Sequence, residues 1–203
     1  MTNTESYSQK YPRYEIRIAG SGGQGILLAG IVLAEAALLD RKYVAQTANY
    51  GPEARGGNSV SEVVISDAEI DYPSAMEVDL LVALSQEACD RNLSGVKEGG
   101  LVIVDSNLVP SVPWQTAACL PFEQIARNAG DKRAINMAAL GAVASFCPAV
   151  SADSLMAVMA KRLPASKVEL NRQAFEEARQ AAENLRTQSQ TYQAQSEADA
   201  QTG

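Results

Sequence analysis

The sequence contains no histidine. That excludes His-based triads, imidazole acid–base chemistry and His-ligated metals. Only three cysteines occur, Cys89, Cys119 and Cys147, widely spaced and without a C-x-x-C pair. An iron–sulfur cluster ordinarily takes four thiolates, so this chain alone is not expected to hold one. The cysteines read instead as free, reduced and in the core. Positive charge is also short, with Lys+Arg 17 against Asp+Glu 24, a net charge of −7 and a pI near 4.7. No basic patch offsets that acidity, so no nucleic-acid partner is expected. The longest apolar run, Ile26 to Leu39, is broken only by Glu35 and falls short of the roughly 20 residues a spanning helix needs. Met1 to Arg13 is polar and has no apolar core of a secretory signal. A soluble cytoplasmic protein with no membrane partner is the expectation. Whatever reaction it serves, these absences imply that the chain does not itself carry the reactive groups.

What the sequence does have begins at Ile16-Arg17-Ile18-Ala19, a short apolar strand running into Gly20-Ser21-Gly22-Gly23-Gln24-Gly25 and then a long apolar helix. Gly20, Gly22 and Gly25 satisfy the G-x-G-x-x-G spacing in its strand–turn–helix context. Glycines permit positive φ and close backbone approach, and a helix start offers unpaired N–H groups to an anion. A dinucleotide site of this kind normally ends its second strand in Asp or Glu, which hydrogen-bonds a ribose. Here the next strand, Tyr43 to Thr47, is followed by Ala48 and Asn49, with no carboxylate before Glu53. The motif alone leaves two readings open: a ligand turn, or glycines that simply let a strand turn into a packed helix.

A second stretch, Tyr50-Gly51-Pro52-Glu53-Ala54-Arg55-Gly56-Gly57, is a loop by composition. Arg55 beside two glycines could present its guanidinium to a carboxylate or phosphate without crowding, or could be an ordinary solvated surface arginine.

Apolar residues make up 46% of the 203, enough for one sizeable core. Residues 1–13 read as a flexible arm, 14–186 as the folded domain and 187–203 as a disordered tail. Gly30 within the first helix suggests either close contact with another backbone or a tolerated defect. Ser59 to Ile65 reads as a strand, turning at Ser66-Asp67-Ala68 into a returning strand, Glu69 to Tyr72, to make a hairpin. The trio Asp67, Glu69 and Asp71 reads as a solvated strand edge, not a metal site. Leu80 to Leu84 and Leu101 to Asp105 are continuous apolar strands central to a covered sheet. Ser85 caps a short helix through Asn92, and Asp105 and Ser106 sit at the strand end where open α/β sheets bind ligands. Thr116 to Leu120 makes one more strand.

Helices follow: a small-residue helix from Asn136 to Phe146, suited to packing on a sheet or another subunit; one from Ser151 to about Leu163; and one from Lys167 to about Arg186, with Val168, Phe175, Ala178, Ala182 and Leu185 on one stripe. The expected fold is a three-layer α/β domain with a mixed β-sheet, a Rossmann-like first βαβ unit and a helical C-terminal part.

The glycine turn and the Tyr50-Gly51-Pro52-Glu53-Ala54-Arg55-Gly56-Gly57 stretch, in that order and spacing, resemble the gamma subunit of the 2-oxoacid:ferredoxin oxidoreductases, and most of all the 2-oxoglutarate synthase branch. The resemblance covers about residues 14 to 185. It implies a pyruvate/ketoisovalerate oxidoreductase gamma-type catalytic domain in a multisubunit enzyme of anaerobic metabolism. Such an enzyme converts 2-oxoglutarate and coenzyme A to succinyl-CoA and CO2 while reducing ferredoxin. It implies alpha, beta and in some members ferredoxin-like delta subunits as partners. Thiamine diphosphate, Mg and iron–sulfur clusters would lie on those subunits, and none on this chain alone. Carried over by position, Gly20, Gly22, Gly23, Gln24 and Gly25 would face the active-site region or coenzyme A, with Tyr50, Glu53, Arg55, Gly56 and Gly57 in the neighbouring loop. No residue of this chain is implied to be catalytic.

Three rivals compete with that reading. A nicotinamide dehydrogenase demands the acidic residue that is missing after the second strand. The small subunit of an indolepyruvate or pyruvate/ketoisovalerate oxidoreductase would share the chemistry with another substrate. A non-catalytic Rossmann-like binding module would be a folded monomer with a hydrophilic surface, whereas the small-residue helix and the glycine-rich loops hint at a buried interface.

Overall fold

The structure, a computed structural model, describes residues 13–50 and 58–202, with side chains through 49 in the first segment and through 188 in the second. Strand β1 (Arg13–Ser21) leads into helix α1 (Ile26–Leu39), then β2 (Tyr43–Tyr50) and β3 (Asn58–Ser66). β4 (Val78–Ala83), α2 (Gln86–Asn92), β5 (Val96–Asp105) and β6 (Ala117–Leu120) follow. Four helices close the chain: α3 (Phe122–Asn128), α4 (Ile135–Phe146), α5 (Ala152–Arg162) and α6 (Ala165–Thr202). No helix among the described residues is long and apolar enough to cross a membrane.

The six strands form one sheet in the order β2-β3-β1-β4-β5-β6. β1, β4, β5 and β6 pair in parallel, while β3 is antiparallel to both its neighbours, β1 and β2. The sheet is mixed as expected, but for a different reason. The antiparallel strand is β3, paired with both β1 and β2, and no strand returns over Glu69 to Tyr72.

Residues 67–77 instead run irregularly across one face of the sheet, held there by side chains of β1 and β3. Arg13 donates to the carbonyls of Tyr72 and Ser74, Glu15 accepts from the amides of Met76 and Glu77, and Glu62 accepts from the amide of Ala75. β3 already has a full-length neighbour on each edge, so no edge is left for a returning strand. Asp67 is therefore no strand-edge guard, and it pairs with Lys42.

The first βαβ unit also differs from the Rossmann arrangement, because β3 is inserted between β1 and β2. At about 4.8 Å per strand, that moves the end of β2 nearly 10 Å from β1. A carboxylate there would not reach a ribose held at the glycine turn, which accounts physically for its absence.

Alternation along the strands sends Ile16, Ile18, Val63, Ile65, Leu80, Val82 and Ile103 to one face, under α1, α3, α4, α5 and α6. Ala19, Leu81, Ala83, Val102 and Val104 face the other way, against Ala88 and Cys89 of α2 and Val109. Every residue of β4 is buried, the signature of a central strand covered on both faces. Gly30 is a point of close approach, although to a side chain and not a backbone: a Cβ there would sit 2.0 Å from Ser61 Oγ.

The small-residue helix α4 is used within the chain. A Cβ on Gly141 would lie 2.1 Å from the Phe175 carbonyl oxygen of α6, so the two helices touch backbone to backbone. Its small residues are explained by that contact and carry no argument for a subunit interface. Phe175, Ala178 and Ala182 complete the α6 side of the contact. α6 runs past Arg186, the end expected from the sequence. It continues to Thr202, through a stretch rich in Gln, Ala, Thr and Ser that holds neither proline nor glycine. Ser85 and Ser151 cap α2 and α5 as their positions suggested.

The cysteines are free, with Cys89 and Cys147 buried but Cys119 exposed. The expectation of a core position fails for Cys119 because β6 is an edge strand.

Candidate functional site: the crevice at the glycine turn

The connection from β1 to α1 leaves on one face of the sheet, and that from β4 to α2 leaves on the other. β1 and β4 are parallel neighbours, so their carboxyl ends open a topological switch point, where open α/β sheets form a ligand crevice. Gly20 to Gly25 carries the chain out of β1 at this end of the sheet, and Leu84 with Ser85 carries it out of β4.

The turn is built by its own side chains. Gln24 Oε1 accepts from the Ser21 amide at 2.6 Å, and its Nε2 donates to the Leu84 carbonyl at 2.8 Å. That folds the side chain back beneath the turn, so a Cβ on Gly20 would meet Gln24 Oε1 at 2.4 Å. Gln24 was expected among the residues facing a ligand; its amide is committed to the protein on both ends. Gly22 and Gly23 are exposed at the tip. Gly25 has φ 72, the left-handed region, and no side chain caps α1. The first N–H groups of α1 have no intrahelical acceptor, so this end of the helix presents donors toward the crevice.

Asn136, at the start of α4, is a member of the site that the motifs did not reveal. It is 4% exposed, and its Nδ2 donates to the Gly25 carbonyl at 3.1 Å while its Oδ1 accepts from the Met137 amide. A Cβ on Gly25 would collide with Asn136 Nδ2 at 2.4 Å. The only sequence signal was a lone polar residue opening an apolar helix.

Asp105, at the carboxyl end of β5, is fully buried and accepts from the amides of Asn107, Leu108 and Glu123. It shapes the loop after β5 and the start of α3, and holds no oxygen out toward the crevice. This donor set does not fit a magnesium diphosphate. It fits a cluster no better, since Cys89 and Cys147 lie in the two separate cores on either side of the sheet. Burial pushes the Cys147 thiol up to about 11 and also raises that of Cys89. Among the described residues, no group of three or more Cys, Asp or Glu is placed to hold a metal ion.

The second signature stretch belongs to the same end of the sheet. Tyr50 closes β2 opposite Ser59, and Asn58 opens β3 directly opposite Ser21 of the glycine turn. Tyr50 is described in its backbone only; Glu53, Arg55, Gly56 and Gly57 lie outside the described residues. Of the two ends of that loop, Asn58 is paired beside the glycine turn and Tyr50 lies one strand further out, at the same end of the sheet. Asn58 Oδ1, at this junction, is buried without a hydrogen-bond partner among the described residues.

Comparison with known proteins shows the family of the chain. The profile of the family "Pyruvate ferredoxin/flavodoxin oxidoreductase" matches residues 15–181. The 2-oxoglutarate synthase subunit KorC of Methanocaldococcus jannaschii is 43% identical over 180 residues, 85% of this chain and 96% of the relative. KorC of Methanothermobacter thermautotrophicus is 40% identical over 83% of this chain and 94% of its own length. Among solved structures, the gamma subunit of a keto/oxoacid ferredoxin oxidoreductase from Geobacter sulfurreducens superimposes with a TM-score of 0.74 at 42% identity, covering 83% of this chain and 98% of that one. The 2-oxoglutarate:ferredoxin oxidoreductase from Magnetococcus marinus, solved with 2-oxoglutarate, coenzyme A and succinyl-CoA bound, gives a TM-score of 0.76 at 25% identity. The match covers 85% of this chain but only 31% of that one. The chain therefore belongs to the pyruvate ferredoxin/flavodoxin oxidoreductase family, as a member of its gamma-subunit type.

Proposed function

We propose that this chain is the gamma subunit of a cytoplasmic 2-oxoglutarate:ferredoxin oxidoreductase of anaerobic metabolism. It works with alpha and beta subunits, and a delta subunit where the complex has one. The complex converts 2-oxoglutarate and coenzyme A to succinyl-CoA and CO2 and passes the electrons to ferredoxin. Thiamine diphosphate, its magnesium and the iron–sulfur clusters reside on the partner subunits and supply the decarboxylation and electron transfer.

The role of this chain is at the crevice. Gly20, Gly22, Gly23 and Gly25 present backbone donors to the phosphate-bearing part of coenzyme A, and Tyr50, Glu53, Arg55, Gly56 and Gly57 form the facing loop. One observation carries this reading: Asn58 pairs opposite Ser21, so both signature stretches issue from one edge of one crevice. The preference for 2-oxoglutarate draws support from the KorC relatives, which match nearly end to end. An indolepyruvate oxidoreductase subunit IorB, by contrast, is 27% identical.

The test is a substrate panel on the purified complex, following ferredoxin reduction with 2-oxoglutarate, pyruvate, 2-oxoisovalerate and indolepyruvate. The highest kcat/KM is expected for 2-oxoglutarate. A higher value for any of the others would move the chain to that substrate's branch.

A further inference from the structure

We propose that Gln24 and Asn136 are positioning residues that lock the glycine turn in its binding attitude, rather than contacts to the ligand. This rests on the coenzyme A reading of the crevice and says which atoms of this chain set its geometry.

The turn has two joints. The first is between β1 and the tip, where Gln24 crosses from the Ser21 amide to the Leu84 carbonyl and so ties the turn to the end of β4. Leu84 is itself tied to β1, its amide donating to the Ala19 carbonyl at 2.9 Å. The second joint is Gly25, whose carbonyl accepts the first helical bond from Ala29 and also the Asn136 side chain. A left-handed residue between a strand and a helix is a natural hinge, and Asn136 clamps it from a helix 111 residues further on. Between the joints, Gly22 and Gly23 stay exposed. Loops held this way lose little freedom on binding, and that preorganisation appears as affinity.

The same bonds argue against a ligand role. A glutamine amide that has given its oxygen to Ser21 and an N–H to Leu84 is turned into the protein. Asn136 is buried, with its Nδ2 given to the Gly25 carbonyl and its Oδ1 accepting from the Met137 amide.

The test uses the intact complex carrying Asn136→Ala or, separately, Gln24→Ala. Hydrogen–deuterium exchange of the segment spanning residues 19–27 is measured with and without coenzyme A, alongside KM and kcat. Loss of the bracing hydrogen bonds, two at Gln24 and one at Asn136, is expected to raise the coenzyme A KM about three- to tenfold, leaving kcat and the 2-oxoacid KM near wild type. Exchange of the turn should quicken in the free complex, and saturating coenzyme A should slow it again. Two bracing side chains that act on one turn should give a double variant whose effect is not the product of the singles. Unchanged exchange and an unchanged coenzyme A KM in both variants, with the complex assembled, would overturn the positioning role. If coenzyme A leaves exchange of the turn unaltered even in the wild-type complex, the crevice reading itself fails. If Asn136→Ala prevents assembly, Gln24→Ala alone decides, since Gln24 lies at the partly exposed turn and not in the helical core.

Discussion

Asn58 and Ser21 face each other at the end of the β1–β3 ladder, and that pairing brings two sequence signatures to one crevice. The loop between Tyr50 and Asn58 returns to the sheet at Asn58, beside the glycine turn, and leaves it from Tyr50, one strand further out. Arg55 is the cation of that loop. Arg55→Ala is expected to raise the coenzyme A KM about tenfold, the scale of a lost charge-assisted bond to phosphate. The wild-type KM should rise with salt and the variant's should respond less. Steady-state titration of coenzyme A at two ionic strengths checks this, and an unchanged KM would remove Arg55 from the site.

The α4–α6 contact permits no added atom. Gly141→Ala would press a methyl against the Phe175 carbonyl and its carbon, 2.1 and 2.9 Å away, and backbone cannot rotate aside. A loss of about 1–3 kcal/mol is expected. Urea unfolding followed by circular dichroism would show it as a lower midpoint at an unaltered slope, and an equal midpoint would mean the helices are further apart than described.

Asp40 clamps the start of α5. Its carboxylate accepts from the Ser151 amide and hydroxyl and from the Ser154 hydroxyl. Burial works against its charge, but the bonds from Ser154 and Ser151, helped by Lys42, outweigh it and hold the carboxyl below its ordinary range. The folded state therefore binds this proton less readily than the unfolded chain. The stabilisation is complete above the ordinary carboxylate range, about pH 4, and fades as pH falls below it. Asp40→Asn is expected to cost about 1 kcal/mol at pH 7, with the gap to wild type narrowing by pH 3. Urea midpoints at both pH values test this; a gap that widens in acid would contradict it.

Thiol reactivity should rank by position. Cys119 is exposed, whereas Cys89 and Cys147 are buried and their thiols pushed up by that burial. One equivalent of iodoacetamide should react readily with the folded full-length chain at pH 8, at Cys119, and the other two only on unfolding. Peptide mass mapping gives the answer, and early labelling of Cys147 would count against the packing around it.

Much of this fold was legible because most elements announce themselves locally. The continuous apolar runs at Leu80 and Leu101, the serines before α2 and α5, and the stripe on α6 each follow from near-neighbour chemistry. Strand order does not. The β-branched residues of Ser59 to Ile65 say strand but are silent on its insertion between β1 and β2. The segment after Ser66 was misread for the same reason: what holds it are Arg13 and Glu15 of β1, far off in the chain, together with Glu62 of β3.

At the site, the glycines were visible and the brace was not. Gln24 has the composition of a ligand contact, and only its bonds to Ser21 and Leu84 reveal a structural role. Asn136 meets Gly25 across 111 residues, a distance no motif spans. Asp105 stood where a ligand carboxylate would, yet three backbone amides occupy it.

The most direct measurement is purification of the full-length chain from its native cell through an affinity tag, followed by mass analysis, an absorbance scan and a ferredoxin-reduction assay. The account predicts larger co-purifying chains carrying thiamine diphosphate and the broad absorbance of iron–sulfur clusters. It predicts ferredoxin reduction that requires both 2-oxoglutarate and coenzyme A. A lone, colourless, stable monomer without that activity would contradict it.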